Sequence, residues 1–398
     1  ALEIRLEAEG AMAAPRGTLV LAVEQARFGS ISASAVEVEA ETDGGSAEIG
    51  FSGTGLTFGA AGAPPEAGPA ANPVADIEGR LRASGDLSDP DGLAAELEIS
   101  RLAVAVGPQE LSNPEPLRIG LDKGTVRVES LRLTGGAGEV SVSGTAGPVG
   151  GPAAVEGRIV ADIDVAAFAP FLPGLLVGGR LRSDIAAGGR LDDPSLSGEI
   201  SLENAYVRPE DFPLVLSGLS AVVSLDGSRL SIERFEGTAN GSPLEVGGGL
   251  EGLLSSAPLS GRVTVEARSL ALNYPPGLLT SSDIALALTG EGSDWTLGGR
   301  MTILQGLFRE DISVGGRILG FGSYRWTASE SELPAFVRDI RLDISVETAE
   351  PIVISNNLAE VALSADLRVA GNPGLPLFSG RLRNCLLYTS PSPRDRTR

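Results

Sequence analysis

Histidine is absent from this 398-residue chain. With it go the commonest general base, the commonest proton shuttle and the commonest metal ligand. Cysteine occurs once, at Cys385, which is compatible with an oxidising compartment. Lysine also occurs once, at Lys123; every other cation is Arg, as a high-GC codon preference would give. Aromatics make up only 4% of the chain, so aliphatic Val, Leu and Ile must supply the buried surface. The net charge of −21 argues against nucleic acid, whose binding rests on Lys and Arg neutralising phosphates, and against docking flat on an anionic leaflet. Long apolar runs are lacking too. The most apolar stretch, 166–179, is interrupted by Pro170 and Pro173 and falls short of a bilayer of ~30 Å. With no start Met and a first residue already in mid-pattern, the chain reads as a fragment, and any anchor is expected outside it.

What is present is alternation. Apolar residues make up 42%, enough for a real core, and Gly (53) and Pro (26) supply turns for many short strands. Gly124-Thr-Val-Arg-Val-Glu puts Val126 and Val128 on one face and Arg127 and Glu129 on the other. Similar runs start at Gly198, Ser260 and Arg341, most of them bounded by Gly, Pro, Asp or Asn. Helical periodicity is nearly missing; only Asp164 to Leu172 has room for a turn or two.

The chain repeats itself. A glycine, a short Pro-containing turn and an alternating strand recur around Pro90, Pro152, Pro194, Pro258 and Pro376. From Pro90 to Pro152 is 62 residues, to Pro194 a further 42 and to Pro258 a further 64, so two steps make units of 104 and 106. Val126, Val128 and Leu131 correspond to Leu230, Ile232 and Phe235 at an offset of 104. In both copies the apolar parity shifts by one, as a β-bulge would make it. The division expected is a partial repeat at 1–75, repeat units at 76–178 and 179–283, a further β region at 284–384, and a tail at 385–398. Such one-sided strands lack helices to cover them. Either two sheets pack face to face, or one sheet curls into a groove with an open lining.

The stretch from Ile344 to Leu358 (Ile-Ser-Val-Glu-Thr-Ala-Glu-Pro-Ile-Val-Ile-Ser-Asn-Asn-Leu), followed by Ala365-Asp-Leu-Arg-Val-Ala-Gly-Asn-Pro and Phe378-Ser-Gly-Arg-Leu, resembles the C-terminal region of TamB-type proteins. These are the translocation-and-assembly-module subunits of the AsmA-like superfamily. Segments Gly189 to Val207 and Asp226 to Gly252 share that repeat style, Gly306-Leu-Phe-Arg-Glu-Asp-Ile suits the strand before the late block, and the resemblance covers roughly 75–384. It implies an all-β, elongated, repetitive antiparallel sheet curled into an open apolar groove, with very little helix. It further implies a periplasmic protein held in the inner membrane by an N-terminal segment absent here. Phospholipid acyl chains would be its cargo, and a TamA-like outer-membrane barrel its partner, with the contact region cut off. The alternative is a secreted adhesin or stalk with closed β-sandwiches.

From Cys385 the text changes to Cys-Leu-Leu-Tyr-Thr-Ser-Pro-Ser-Pro-Arg-Asp-Arg-Thr-Arg, which resembles a translated sequencing-adaptor read-through. The expectation is a disordered tail that packs on nothing; a native basic tail is the alternative.

No catalytic constellation emerges, and no metal or cofactor is expected. Asp192-Asp193 precedes Pro194 in a repeated turn, which accounts for it. Asp162 and Asp164 share a strand face without a Ca²⁺ loop around them. Glu310 and Asp311 would point to opposite strand faces. Gly178-Gly and Gly247-Gly-Gly lack the Lys and helix of a phosphate loop, so turns or close strand approach explain them better. A serine nucleophile has no histidine base. Trp295, Tyr324 and Trp326 could form a sugar-stacking platform, but isolated aromatics at strand ends read better as core. The lining of a lipid groove would be Val126, Val128, Leu131, Leu133, Ile200, Leu202, Leu230, Ile232, Phe235, Val263 and Val265, each buried methylene of a lipid contributing ~0.8 kcal/mol.

Overall fold

The computed structural model describes residues 2–9, 16–28, 31–58, 74–85, 92–106, 109–148, 153–172, 174–210, 212–255, 257–274, 276–309, 338–355 and 359–389. The fold is all-β, a single mixed sheet of 23 strands. The helical turns expected near Asp164 form a 3₁₀ helix, Val165–Phe171. Its N-cap is Asp164, whose carboxylate accepts from the Ala166 amide at 2.9 Å.

Contacts divide the chain into two units. The first spans Ala1–Glu203 with the short pieces Ser224–Ser228 and Leu254–Ser256. Its strands are β1 (Leu2–Glu9), β2 (Arg16–Phe28), β3 (Ile31–Asp43), β4 (Ser46–Phe58), β5 (Val74–Ser84) and β6 (Ala94–Val106). There follow β7 (Gln109–Ser112), β8 (Leu117–Asp122), β9 (Thr125–Gly135), β10 (Gly138–Gly147), β11 (Ala154–Asp164), β12 (Leu175–Arg190) and, as far as Glu203, β13 (Asp193–Pro209). The ladder from β1 to β12 is antiparallel throughout, with β7 and β8 sharing the long strand β6. Lys123-Gly124 closes the β8–β9 hairpin with φ of 46° and 71°, the left-handed pair of a two-residue turn.

The parity shift is a bulge. Arg118 faces Ser130 while Ile119 faces Val128, so Glu129 is the extra residue on β9. The copy 104 residues later also breaks register, between Ile232 and Thr238. The boundaries at 75/76, 178/179 and 283/284 fall inside strands β5, β12 and β18.

The second unit comprises Asn204–Val223, Arg229–Leu253 and Ala257–Arg398. It holds β14 (Leu216–Gly227) as far as Val223, β15 (Arg229–Ala239), β16 (Ser242–Glu251), β17 (Ser260–Asn273), β18 (Leu278–Glu291) and β19 (Asp294–Phe308). β20 (Arg341–Thr348) and β21 (Ile352–Ser355) lie parallel to β19, and β22 (Ala359–Asn372) and β23 (Leu375–Thr389) complete the unit. Asn240-Gly241 turns β15 into β16 with φ of 47° and 82°. The Asn240 side chain also ties three segments together. It donates to the Pro213 carbonyl at 2.9 Å and the Ala271 carbonyl at 2.7 Å, and accepts from the Val215 amide at 2.8 Å. Asn240→Ala leaves these three backbone groups without that partner and is expected to cost about 1–3 kcal/mol. A lower urea midpoint is the readout.

Among the described residues the buried apolar set is thin. Eight of its sixteen members are alanine, among them Ala137, Ala239 and Ala267, and the bulky ones include Leu117, Val177 and Ile303. Most of the large aliphatic side chains on the strands therefore keep part of their surface open.

The last strand runs into the tail: Asn384 pairs with Leu363, and Leu386, Leu387, Tyr388 and Thr389 pair with Ala362, Val361, Glu360 and Ala359. Cys385 is the extra residue of a bulge between them. Leu-Leu-Tyr-Thr has enough β-propensity to prolong a ladder whose partner strand is already in place. Residues 390–398 lie outside the described residues.

Candidate functional site: an apolar sheet face

Directly opposed residues in a β ladder share a face, so the pairings show which side chains line up across strands. In the first unit one line runs Leu6, Leu19, Ala40, Ile49, Leu81, Leu97, Ile119, Val128, Gly144, Gly157, Ala187. It crosses eleven strands without a polar side chain. The line one residue along is its opposite: Glu7, Thr18, Glu41, Glu48, Arg82, Glu96, Gly120, Arg127, Thr145, Glu156, Gly188. It holds no apolar side chain larger than the hydrogen of glycine. A period of two, kept in register from strand to strand, has produced one oily face and one charged face.

The second unit repeats this. Val246, Val265, Leu286, Gly299, Ile344, Val369 and Phe378 oppose one another across β16–β20, β22 and β23. Beside them runs Ile232, Gly248, Val263, Leu288, Leu297, Leu342. Glycines interrupt these lines for a backbone reason. Gly299 sits in mid-strand at φ 139°, and a Cβ there would lie 2.2 Å from the Ala285 carbonyl oxygen of the facing strand. Gly248, within the Gly247-Gly-Gly run, has φ 113° and would place a Cβ 2.1 Å from the Arg262 carbonyl oxygen. The run therefore serves close strand approach.

All eleven residues singled out from the sequence are half-buried. Val126, Val128, Leu131 and Leu133 lie on β9 opposite Ala146, Gly144, Val142 and Val140 of β10. Ile200 and Leu202 alternate along β13, and Leu230, Ile232 and Phe235 lie on β15. Val263 and Val265 lie on β17 opposite Leu288 and Leu286. The list missed the N-terminal half of the line, from Leu19 to Ile119, and its late members Leu286, Ile344 and Val369. The same alternation marks them, so the signal was there to use.

The charged face is laced by ion pairs. Arg80 Nε stands 2.9 Å from Glu48, Arg132 Nε 2.8 Å from Glu139, and Arg368 Nε 2.7 Å from Asp343. Arg158 pairs with Asp184, and Arg180 and Arg182 both pair with Asp162. The hydrogen bond from Arg180 holds the Asp162 carboxyl below its usual range, and that from Arg368 does the same to Asp343. Exposed pairs of this kind add little stability, because water screens them. Their main effect is to keep this face wet.

The acidic pairs are accounted for structurally. Asp162 is held by two arginines and Asp164 caps the 3₁₀ helix, so their carboxylates do not converge on a cation. Asp192 accepts from Arg190 in the β12–β13 turn and Asp193 opens β13. Trp295 donates from Nε1 to the Gly292 carbonyl at 2.9 Å across the β18–β19 turn. Glu310, Asp311, Tyr324 and Trp326 lie outside the described residues. Among the described residues no three His, Cys, Asp or Glu groups gather as metal ligands, and no helix is long and apolar enough to cross a membrane. No family model matches the chain, and no curated protein or solved structure is similar to it.

Proposed function

We propose that this chain is a structural conduit of the TamB type, in which the apolar face forms a trough that carries phospholipid acyl chains between the inner and outer membranes and so supports outer-membrane assembly. The observation behind the reading is the line of aliphatic side chains that stays in register across eleven strands while a charged line backs it. A surface of this kind attracts hydrocarbon without any polar site, at about 0.8 kcal/mol per buried methylene. Its lining of Val, Leu, Ile and Gly offers a sliding chain no hydrogen bond to break. The setting proposed is the periplasm, with an inner-membrane anchor and a TamA-like barrel partner, as the resemblance of 344–382 implies.

The test is photo-crosslinking in cells, with a benzophenone amino acid placed at Val128 or Ile232 and, as control, at Arg158 on the charged face. The expected result is phospholipid captured at the first two positions and not at the third. Equal capture at all three, or none at Val128 and Ile232, would count against a conduit.

A further inference from the structure

Two strands of the sheet lie open along one side. Among the described residues β1 pairs only with β2, and β23 only with β22. Each therefore presents a row of backbone N–H and C=O groups without a ladder partner, a template for one more strand. The same two strands hold large apolar side chains in water. Leu2, Ile4 and Leu6 on β1 are 59–69% exposed, and Phe378 and Leu382 on β23 are 51% and 65% exposed. Ile119 and Val128, which have a neighbouring strand on either side, are half-buried. A strand laid along either edge would cover its apolar residues in the same way.

The two edges are opposite in charge. On β1 the face behind Leu2, Ile4 and Leu6 carries Glu3, Arg5, Glu7 and Glu9, all exposed. Arg5 pairs with Glu3 at 2.7 Å, which leaves Glu7 and Glu9 without an ion pair among the described residues. On β23 the face behind Phe378 and Leu382 carries Arg381 and Arg383, exposed and also without an ion pair there, although Asp366 stands opposite Arg381. Each pair is spaced by two residues. Laid parallel with Ile4 beside Phe378, the strands bring Leu6 beside Gly380, Glu7 beside Arg381 and Glu9 beside Arg383. A slip of one residue would set the carboxylates beside Gly380 and Leu382 on the oily side, so the register is fixed. The chain as a whole carries −21, and copies repel at long range; a local match of this kind is what their association requires.

We propose that copies of this chain associate head to tail by strand addition, β1 of one copy pairing in parallel with β23 of the next. Ladder hydrogen bonds hold the two edges together, and the Glu7–Arg381 and Glu9–Arg383 contacts choose the register. The two surfaces differ, so the interface is heterologous and builds arrays or rings rather than a twofold dimer. The apolar face then runs on from copy to copy. The inference is independent of the lipid reading, because it rests on the edges and not on what the face binds.

Sedimentation velocity on the full chain over a concentration series tests it, with two charge-reversed variants, Glu7→Arg/Glu9→Arg and Arg381→Glu/Arg383→Glu. The wild type is expected to assemble as concentration rises. Each variant alone should associate about tenfold more weakly or worse, since like charges then face each other across the joint. An equimolar mixture of the two should assemble again, because each altered edge finds its complement on the other variant. All four side chains are exposed, so the variants keep the fold, and the recovery on mixing proves it. Val128→Asp, in the middle of the apolar line, should assemble as the wild type does. A wild type that stays monomeric throughout the series, a variant that assembles alone as well as the wild type, or a mixture that stays apart overturns the proposal.

Discussion

Val128→Asp is expected to abolish most lipid capture while leaving the protein folded. Val128 lies mid-line between Ile119 and Gly144, half-buried, with Val126 and Leu131 beside it. A carboxylate there keeps its water only if an acyl chain stays away. Losing contact with two or three methylenes at about 0.8 kcal/mol each weakens capture at least tenfold. The stability cost is small, about 1–2 kcal/mol, from lost β-propensity and lost apolar contact with side neighbours. A closed sandwich predicts the reverse. An ionised carboxylate sealed between two sheets costs several kcal/mol, enough to unfold the surrounding strands. Crosslinked lipid yield and urea midpoint, measured on the same variant, separate the two.

The second large effect concerns the backbone. Gly299→Ala is expected to destabilise the protein by about 3 kcal/mol or more, because two costs coincide. Alanine is strained at φ 139°, by about 1–3 kcal/mol, and its methyl would overlap the Ala285 carbonyl at 2.2 Å, forcing the strands apart at a similar cost. Gly188→Ala is the control. Nothing lies within 4 Å of a Cβ there, and the substitution should be neutral or stabilise by up to about 1 kcal/mol. Urea midpoints that fall in Gly299→Ala and hold in Gly188→Ala are the expected pattern. Equal, small effects would show that these glycines do not set the strand approach.

How much of this was legible in the sequence follows from which interactions are local. Alternation is written along one strand, so the all-β fold and the half-buried state of Val126 to Leu133 could be read directly. The bulge at Glu129 was legible too, since a parity shift is a local signature. Register is not local. That Leu6, Ile119 and Ala187 stand on one line depends on ten successive pairings, each fixed by turns and bulges whose geometry no composition reveals. The match between β1 and β23 was invisible for the same reason, because which strands lie at an edge follows from the pairings. The reach of the last strand was not legible either: the text changes character at Cys385, yet a strand already hydrogen-bonded along β22 continues over β-tolerant residues, here to Thr389.

Lipid-dependent shielding of the apolar face is the most direct test. With the exposed Cys385 replaced by serine, cysteines are placed singly at Val128, Ile232 and Arg158, and maleimide labelling of the native protein is followed with and without phospholipid vesicles. An open oily face predicts ready labelling at all three sites, slowed about tenfold or more by lipid at 128 and 232 only. Cysteines at 128 and 232 that label only in denaturant, or that ignore lipid altogether, would contradict it.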